Sequence, residues 1–352
     1  MSHRPLGRAR LVPSAVVALT ALVLAGAPAI PATAAVPAPT VTVWSHSREA
    51  PGGTVPAVVT VRDVPAGYSA TSITAAPATS NRQRGVVGCV GATWHNPVQR
   101  QTSRRCSLRL GPAGDYKITG TVVLSKKGAK DITVRGTSAT AVVSKGYRAP
   151  RAMSQAQVDA ISTCGNRTRD VWLTFDDGGS PAQIRSVLAT LKANGVRGRF
   201  FMMGVWRDRN PTLMREITSA GHLLGNHTDD HPSLEAVSDK ELLRQIDQGV
   251  RSTTSPRLLR PPYGAGSFNT RTVDLAASKG YTLCYWTHDT SDWAGTTRAE
   301  MVERLRYGNA VTPPVGPGGV VLMHGTGRNT ASSLQAIIDT VRAKGLTLER
   351  LP

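Results

Sequence analysis

Four stretches in the back half of this 352-residue chain share a construction that limits the folds open to it. Each is a short run of apolar, β-branched or aromatic residues that stops on polar side chains. Residues 170–175 stop on Asp176-Asp177-Gly178, 258–259 on Arg260-Pro261-Pro262-Tyr263-Gly264, 281–287 shortly before Asp289 and Asp292-Trp293, and 319–323 on His324-Gly325. Between them lie segments with apolar residues at helical spacing: 181–193, with Ile184, Val187, Leu188 and Leu191, then 241–250 and 298–306. Buried strands alternating with amphipathic helices predict a parallel α/β barrel. In such folds the working residues gather at the carboxyl ends of the strands, where these polar residues stand.

The chemistry is sharpest at Thr174-Phe175-Asp176-Asp177-Gly178 and, some fifty positions on, His227-Thr228-Asp229-Asp230-His231. Where a strand breaks at glycine, two adjacent carboxylates can bend into one cavity. Two bare carboxylates so close repel each other, but a bound cation neutralises one and leaves the second ionised as a base. His227 and His231 are four apart, which on a helical turn puts both rings over one spot. Two imidazoles and a carboxylate suit a three-ligand hydrolytic metal site with a fourth position open to water. That donor set favours zinc first, with cobalt, nickel or manganese as alternatives. A metalloprotease is excluded, because Thr228 stands where that motif needs Glu. Taken singly, an Asp-Asp-Gly reads as a turn and a His pair as surface. Their joint occurrence with the downstream segments reverses that prior. The Pro261-Pro262 turn would hold the amide of Tyr263 toward a substrate oxygen.

These motifs, in this order, resemble the polysaccharide deacetylases with the NodB homology domain, carbohydrate esterase family four. The match comprises Thr-Phe-Asp-Asp-Gly at 174–178, Asn-His-Thr-x-x-His at 226–231, Arg-Pro-Pro-Tyr-Gly at 260–264, Asp-x-x-Asp-Trp at 289–293 and Leu-x-His at 322–324. The resemblance covers about residues 165–352 and implies a distorted (β/α)7 barrel. It implies that Asp177, His227 and His231 bind the metal and that Asp176 is the general base, oriented by Arg260. His324 becomes the general acid, held protonated by Asp292. Trp293 and Leu322 wall the pocket for the acetyl methyl, and the Tyr263 amide shares the oxyanion. The implied activity is hydrolysis of the acetamide of N-acetylglucosamine residues, in peptidoglycan first and chitin next. An acetylxylan O-esterase and an inactive wall-binding protein are the rival readings. The chain departs from the family in carrying Thr228-Asp229-Asp230 between the histidines, where the extra acids offer a stray ligand, and in Arg197-Gly198-Arg199 before the Phe pair. The segment between Gln248 and Arg260 is short, as for a trimmed loop.

Ahead of this half, residues 1–35 carry Arg4, Arg8 and Arg10, an apolar run interrupted by Pro28, and Ala32-Thr33-Ala34-Ala35. They read as a secretory signal peptide, too short in its apolar part for a transmembrane anchor. A secreted product, extracellular or wall-associated, is expected. Residues 36–146 hold Val- and Thr-rich runs at 41–44, 58–61, 116–124 and 137–143 between Pro-Gly turns, the pattern of a small all-β sandwich domain. Residues 147–160 read as a linker, and 161–352 as the catalytic domain. Four cysteines suit an oxidising compartment, and pairing within each domain predicts Cys89 with Cys106 and Cys164 with Cys284 among the three connectivities that four cysteines allow. The charge is lopsided: 15 Lys plus Arg against 4 Asp plus Glu over 36–150, but 24 against 19 over 151–352. The basic front half suits an anionic cell-wall polymer by long-range attraction, with a generic solvated surface as the bland alternative. No nucleic-acid-binding pattern accompanies it, and no membrane partner is expected once the leader is removed.

Overall fold

Seven short parallel strands form the central sheet of the back half, in the order Thr282–Leu283, Leu258–Leu259, Leu223–Asn226, Gly198–Met202, Trp172–Asp177, Val320–His324, His288–Asp289. The computed structural model describes residues 37–45, 48–49, 54–77, 87–89, 93–109, 114–138, 141–143 and 153–352. The leader expected over 1–35 and residues 147–152 of the expected linker lie outside the described residues. Among the described residues no helix is long and apolar enough to cross a membrane.

The inner strands are buried on both faces, as βαβ crossovers require: Leu173, Phe175, Phe200, Met202, Val321 and Met323 are almost wholly inaccessible. The Pro181–Ala193 helix starts where local chemistry dictates, with Pro at its first turn and a reciprocal Ser180–Gln183 capping box. A Thr297–Glu300 box does the same for Arg298–Tyr307. Ile184, Val187, Leu188 and Leu191 join the core between helices and sheet.

The sheet curls as a half-barrel rather than closing. Its first strand lies within the stretch read above as a single strand over 281–287, and its last strand directly follows that stretch. The structure breaks that stretch: Thr282–Leu283 lies at one edge and His288–Asp289 at the other, with 284–287 crossing the opening. The opening is filled by the Gln155–Ser162 helix, whose Val158 and Ile161 are buried and whose Ile161 carbonyl accepts from the Tyr285 amide. The Cys164–Cys284 disulfide clamps the same place. Residues 155–160 of the expected linker are therefore a packed helix.

The front region is all β. Its two main sheets are Thr40–Ser45, Thr54–Arg62, Gln101–Arg109 and Val87–Gly88, with Thr93–Asn96 on Gln101–Arg109, and Ile132–Thr137, Ile118–Ser125 and Ser69–Pro77. Val41, Val43, Val59, Val61, Leu108, Ile118, Val122 and Leu124 meet between them. The sheets approach so closely that a Cβ on Gly120 would fall 2.7 Å from Val43. Cys89 pairs with Cys106. This region and the half-barrel belong to one compact unit, residues 37–352.

Candidate active site

The ends of five strands meet over a cavity of about 560 Å³ that contains Asp176, Asp177, His227, His231, Tyr263, Leu322, Trp293 and His324 in its lining. Asp176 and Asp177 close the Trp172–Asp177 strand, and His227 follows the Leu223–Asn226 strand. Arg260 follows Leu258–Leu259, Asp289 ends its own strand, and His324 ends Val320–His324.

Asp177 Oδ1 stands 3.3 Å from His227 Nε2 and 3.2 Å from His231 Nε2. His227 Nδ1 lies 2.8 Å from the Arg260 carbonyl, which only accepts, so Nδ1 carries the hydrogen and a neutral His227 turns a bare Nε2 lone pair on the carboxylate. Asp177 Oδ1 is itself buried without a hydrogen-bond donor. Asp177 Oδ1 and the His227 lone pair, with His231 Nε2 beside them, call for positive charge between them, and one carboxylate with two imidazoles is a donor set that divalent zinc or cobalt accepts. The group fits. In the alternative state in which the imidazoles donate to Asp177, burial raises its pKa but their hydrogen bonds outweigh that and hold the carboxylate ionised, far below the usual range.

Asp176 is held differently. Its Oδ1 accepts from Arg260 Nη1 at 2.7 Å, and the same nitrogen lies 2.8 Å from Thr174 Oγ1. Arg260 is wholly buried, donates from Nη2 to the Tyr285 carbonyl at 2.8 Å, and lies over the Phe201 ring at 4.2 Å. Such a guanidinium keeps its neighbour oriented. Asp176 Oδ2 is 3.8 Å from His227 Nε2, so it borders the cation position without being one of the three closest donors.

On the other side, His324 Nδ1 donates to Asp292 Oδ1 at 2.8 Å. Asp292 is buried and also accepts from the His324 and Trp293 amides and the Thr330 hydroxyl. Burial alone would lower the His324 pKa. The Asp292 hydrogen bond and the field of Asp176, Asp292 and Asp177 overcome it and push the imidazole up to about 9. The site thus sets an ionised carboxylate and a protonated imidazole in one cavity.

The sequence profile of the polysaccharide deacetylase family matches residues 165–284. A peptidoglycan-N-acetylglucosamine deacetylase of Bacillus cereus is 31% identical over 192 residues, covering 52% of this chain and 67% of that protein. The chain belongs to the polysaccharide deacetylases. It is accordingly a hydrolase of carbon–nitrogen bonds other than peptide bonds. The peptidoglycan-N-acetylglucosamine deacetylase PgdA of Listeria monocytogenes is 30% identical over 242 residues, 66% of this chain. Of PgdA, the chain spans about half the length, 48%. A solved family 4 carbohydrate esterase from Streptomyces lividans, in complex with acetate, is 30% identical, covers 51% of this chain and 91% of its own, and superposes with a TM-score of 0.45.

All ten residues singled out in the sequence stand in or against this cavity. Tyr263 and Trp293 are exposed at its rim, 71% and 65%, while Leu322 is buried in its wall. The Tyr263 ring stands edge-on to His231 at 4.5 Å. The histidine pair differs from expectation in one respect: residues 227–234 are a loop, not a helical turn. His227 and His231 come together, ring centroids 5.0 Å apart, because Thr228 and His231 adopt left-handed backbone at φ 66° and 71°. A β-branched residue pays for that conformation in strain, on the order of 1–3 kcal/mol. The loop holds it with the Asn226 Oδ1 bond to the Thr228 amide at 2.7 Å and the Thr228 Oγ1 bond to the His231 amide at 3.2 Å. Asp177, Tyr263 and Ser291 share the left-handed region. The extra acids of the departure turn away, Asp229 to Arg244 at 2.8 Å and Asp230 to Gln245 at 2.6 Å.

Sequence reasoning missed Tyr285, Trp286, Asp289, Arg304, Asn309, Val311 and, from the front region, Trp44, all of which line the cavity. Asp289 had been noticed at a strand end without a role. Burial raises its pKa, although it accepts from the Ser291 amide at 2.6 Å. Trp44 carried no signal, since nothing local tells one strand tryptophan from another.

Proposed function

We propose that this chain is a secreted, metal-dependent N-deacetylase of N-acetylglucosamine residues in polysaccharides, with peptidoglycan the first substrate and chitin-type oligomers the second. One observation carries the reading: a carboxylate locked by a buried arginine and an imidazole locked by a buried carboxylate share a cavity with a three-donor cation site. Asp177, His227 and His231 would hold the cation. When bound, it supplies a Lewis acid for the acetamide oxygen and a means of acidifying water.

The chain's own residues do the rest. Asp176, paired with Arg260 and aimed by it, takes the proton of the attacking water. The Tyr263 amide donates to the oxygen on which negative charge develops. Trp293 and Leu322 flank the acetyl methyl. His324 then gives its proton to the sugar nitrogen as the carbon–nitrogen bond breaks, and an amine and acetate leave. An amine departs poorly unless protonated, so an acid whose pKa lies above neutrality is the appropriate partner.

Secretion is supported by the Arg-rich start, the apolar run and the small residues at 32–35. Attachment to anionic wall polymer is supported by the 15-to-4 excess of basic residues over 36–150. Acetate release from peptidoglycan, N-acetylglucosamine oligomers and acetylated xylan tests the reading. Release from the first two should stop on chelation and return with zinc or cobalt. Activity on xylan alone would identify an O-esterase, and activity that survives chelation would remove the metal from the scheme.

A further inference from the structure

The front region reaches the reaction cavity. In the Thr40–Ser45 strand, Val41 and Val43 face the β core, so Trp44, next along the strand, faces the other side of the sheet. Register extends that outer face across three further strands: Trp44 pairs with Val58 and Val58 with Arg105, while Thr60 pairs with Ser103 and Ser103 with Trp94. Val58, Thr60, Trp94 and Ser103 are all buried. What covers this face is the catalytic half. Trp94 Nε1 donates to the Asn309 carbonyl at 2.9 Å, and Asn96 Nδ2 to the Gly308 carbonyl at 2.8 Å and Glu303 Oε1 at 3.1 Å. Thr60 Oγ1 donates to the Ala310 carbonyl at 3.1 Å. Buried polar side chains matched this way mark a permanent seam rather than a passing contact.

Trp44 stands where this seam opens into the cavity, beside Val311 and facing the same space as Asp176 and His324. With Trp286 and Trp293 it places three indoles around one cavity that also holds the Arg304 guanidinium. Flat aromatic faces suit the C–H faces of sugar rings, and a pocket formed between two packed regions is a common place for a ligand. We propose that Trp44, backed by the 309–311 loop that the seam fixes, forms a glycan subsite next to the acetamide position. The β region then helps set which stretch of a polysaccharide chain the half-barrel engages. This rests on the deacetylase reading of the same cavity.

The test compares the full-length chain with Trp44→Ala and Trp44→Phe on N-acetylglucosamine oligomers from the dimer to the hexamer. Trp44→Ala should raise KM by a factor that grows with length, reaching roughly 3- to 10-fold at the hexamer for the loss of one stacked ring, with kcat little affected. Trp44→Phe should recover most of it. An equal loss at every length, or no loss at any, overturns the subsite. Should Trp44→Ala melt early, Trp44→Phe and Trp44→Leu carry the comparison, because both keep an apolar filler and only one keeps a ring. The same oligomers titrated calorimetrically into Asp176→Asn, with and without Trp44→Ala, report binding without turnover. Length-dependent binding through Trp44 in a chain whose unsubstituted form releases no acetate sinks the deacetylase reading alone. Acetate release with no Trp44 dependence sinks the subsite alone.

Discussion

The half-barrel and the β region both bury polar side chains, but they do so to different ends. Around the cavity of the half-barrel the buried groups include charged ones, paired and aimed into that cavity: Asp176 with Arg260, Asp292 with His324, Asp177 with two imidazoles. Around them the backbone is strained at Asp177, Thr228, His231, Tyr263 and Ser291. In the β region they are neutral, Thr60, Asn96 and Ser103, and they point into a seam where carbonyls and Glu303 meet them. The first arrangement is costly to desolvate and stores reactivity. The second is cheap and stores position. A buried charge reads as chemistry, while a buried amide or hydroxyl facing another element reads as mechanical registration.

Breaking the reactive side should have the largest consequences. Asp176→Asn preserves shape and the Arg260 contact but cannot take a proton, so acetate release should fall by about 10²–10⁴ while circular dichroism is unchanged. Turnover near the parent rate would remove Asp176 as the base. Arg260→Met leaves the Asp176 carboxylate buried and unpaired, and urea denaturation should show a loss of about 3–5 kcal/mol. Asn96→Ala cuts two seam hydrogen bonds between neutral groups or to one carboxylate, and should cost the smaller sum of about 1–3 kcal/mol. If Asn96→Ala proved as damaging as Arg260→Met, the contrast between the halves would fail.

Two pH effects sharpen the contrast further. His324 must carry its proton to act, so activity falls as pH rises through its pKa. In the bare site that imidazole is pushed up to about 9, and a cation beside it lowers the value, so the limb of the metal-loaded enzyme should lie below 9. Asp292→Asn removes the group that raises the value, and the limb should move acidward by about one unit, equivalent to about 1.4 kcal/mol. An unmoved limb would mean that another group is the acid. The second pH effect is on stability and comes from His222 and His288, whose pKa values burial lowers to about 4. Both stay neutral in the fold but take protons once unfolded below about 6.5. Their contribution is complete above that pH and is lost as pH falls toward 4, so the melting temperature should decline across that window.

The sequence disclosed the chemistry better than the architecture around it. Asp176, Asp177, Arg260 and His324 were readable because each stops an apolar run, and a strand end is a local property. The Pro181–Ala193 helix was readable because Ser180, Pro181 and Gln183 define its start within four residues. The histidine loop was misread as helical because spacing alone cannot distinguish a helical turn from a loop bent at Thr228. The stretch over 281–287 looked like one strand because its residues favour extension, yet tertiary pairing sends its two ends to opposite edges of the sheet. Ser69–Pro77 and Gln101–Arg109 escaped notice because Ser, Thr, Ala and Arg dominate them, and only pairing with neighbouring strands makes them sheet. Trp44 escaped for a related reason: its importance comes from a partner more than 250 residues away.

The half-barrel that never closes has a consequence for how such a molecule can diversify. A complete ring would present a finished circumference to anything beside it. Here the gap spanned by 284–287 is stoppered by a helix, a disulfide and two aromatic rings, and a separate β module leans on that stopper. The rim is therefore a berth. Refitting it with a different module would alter reach along a polymer while Asp176, Asp177, His227 and His324 kept their places at the ends of the inner strands.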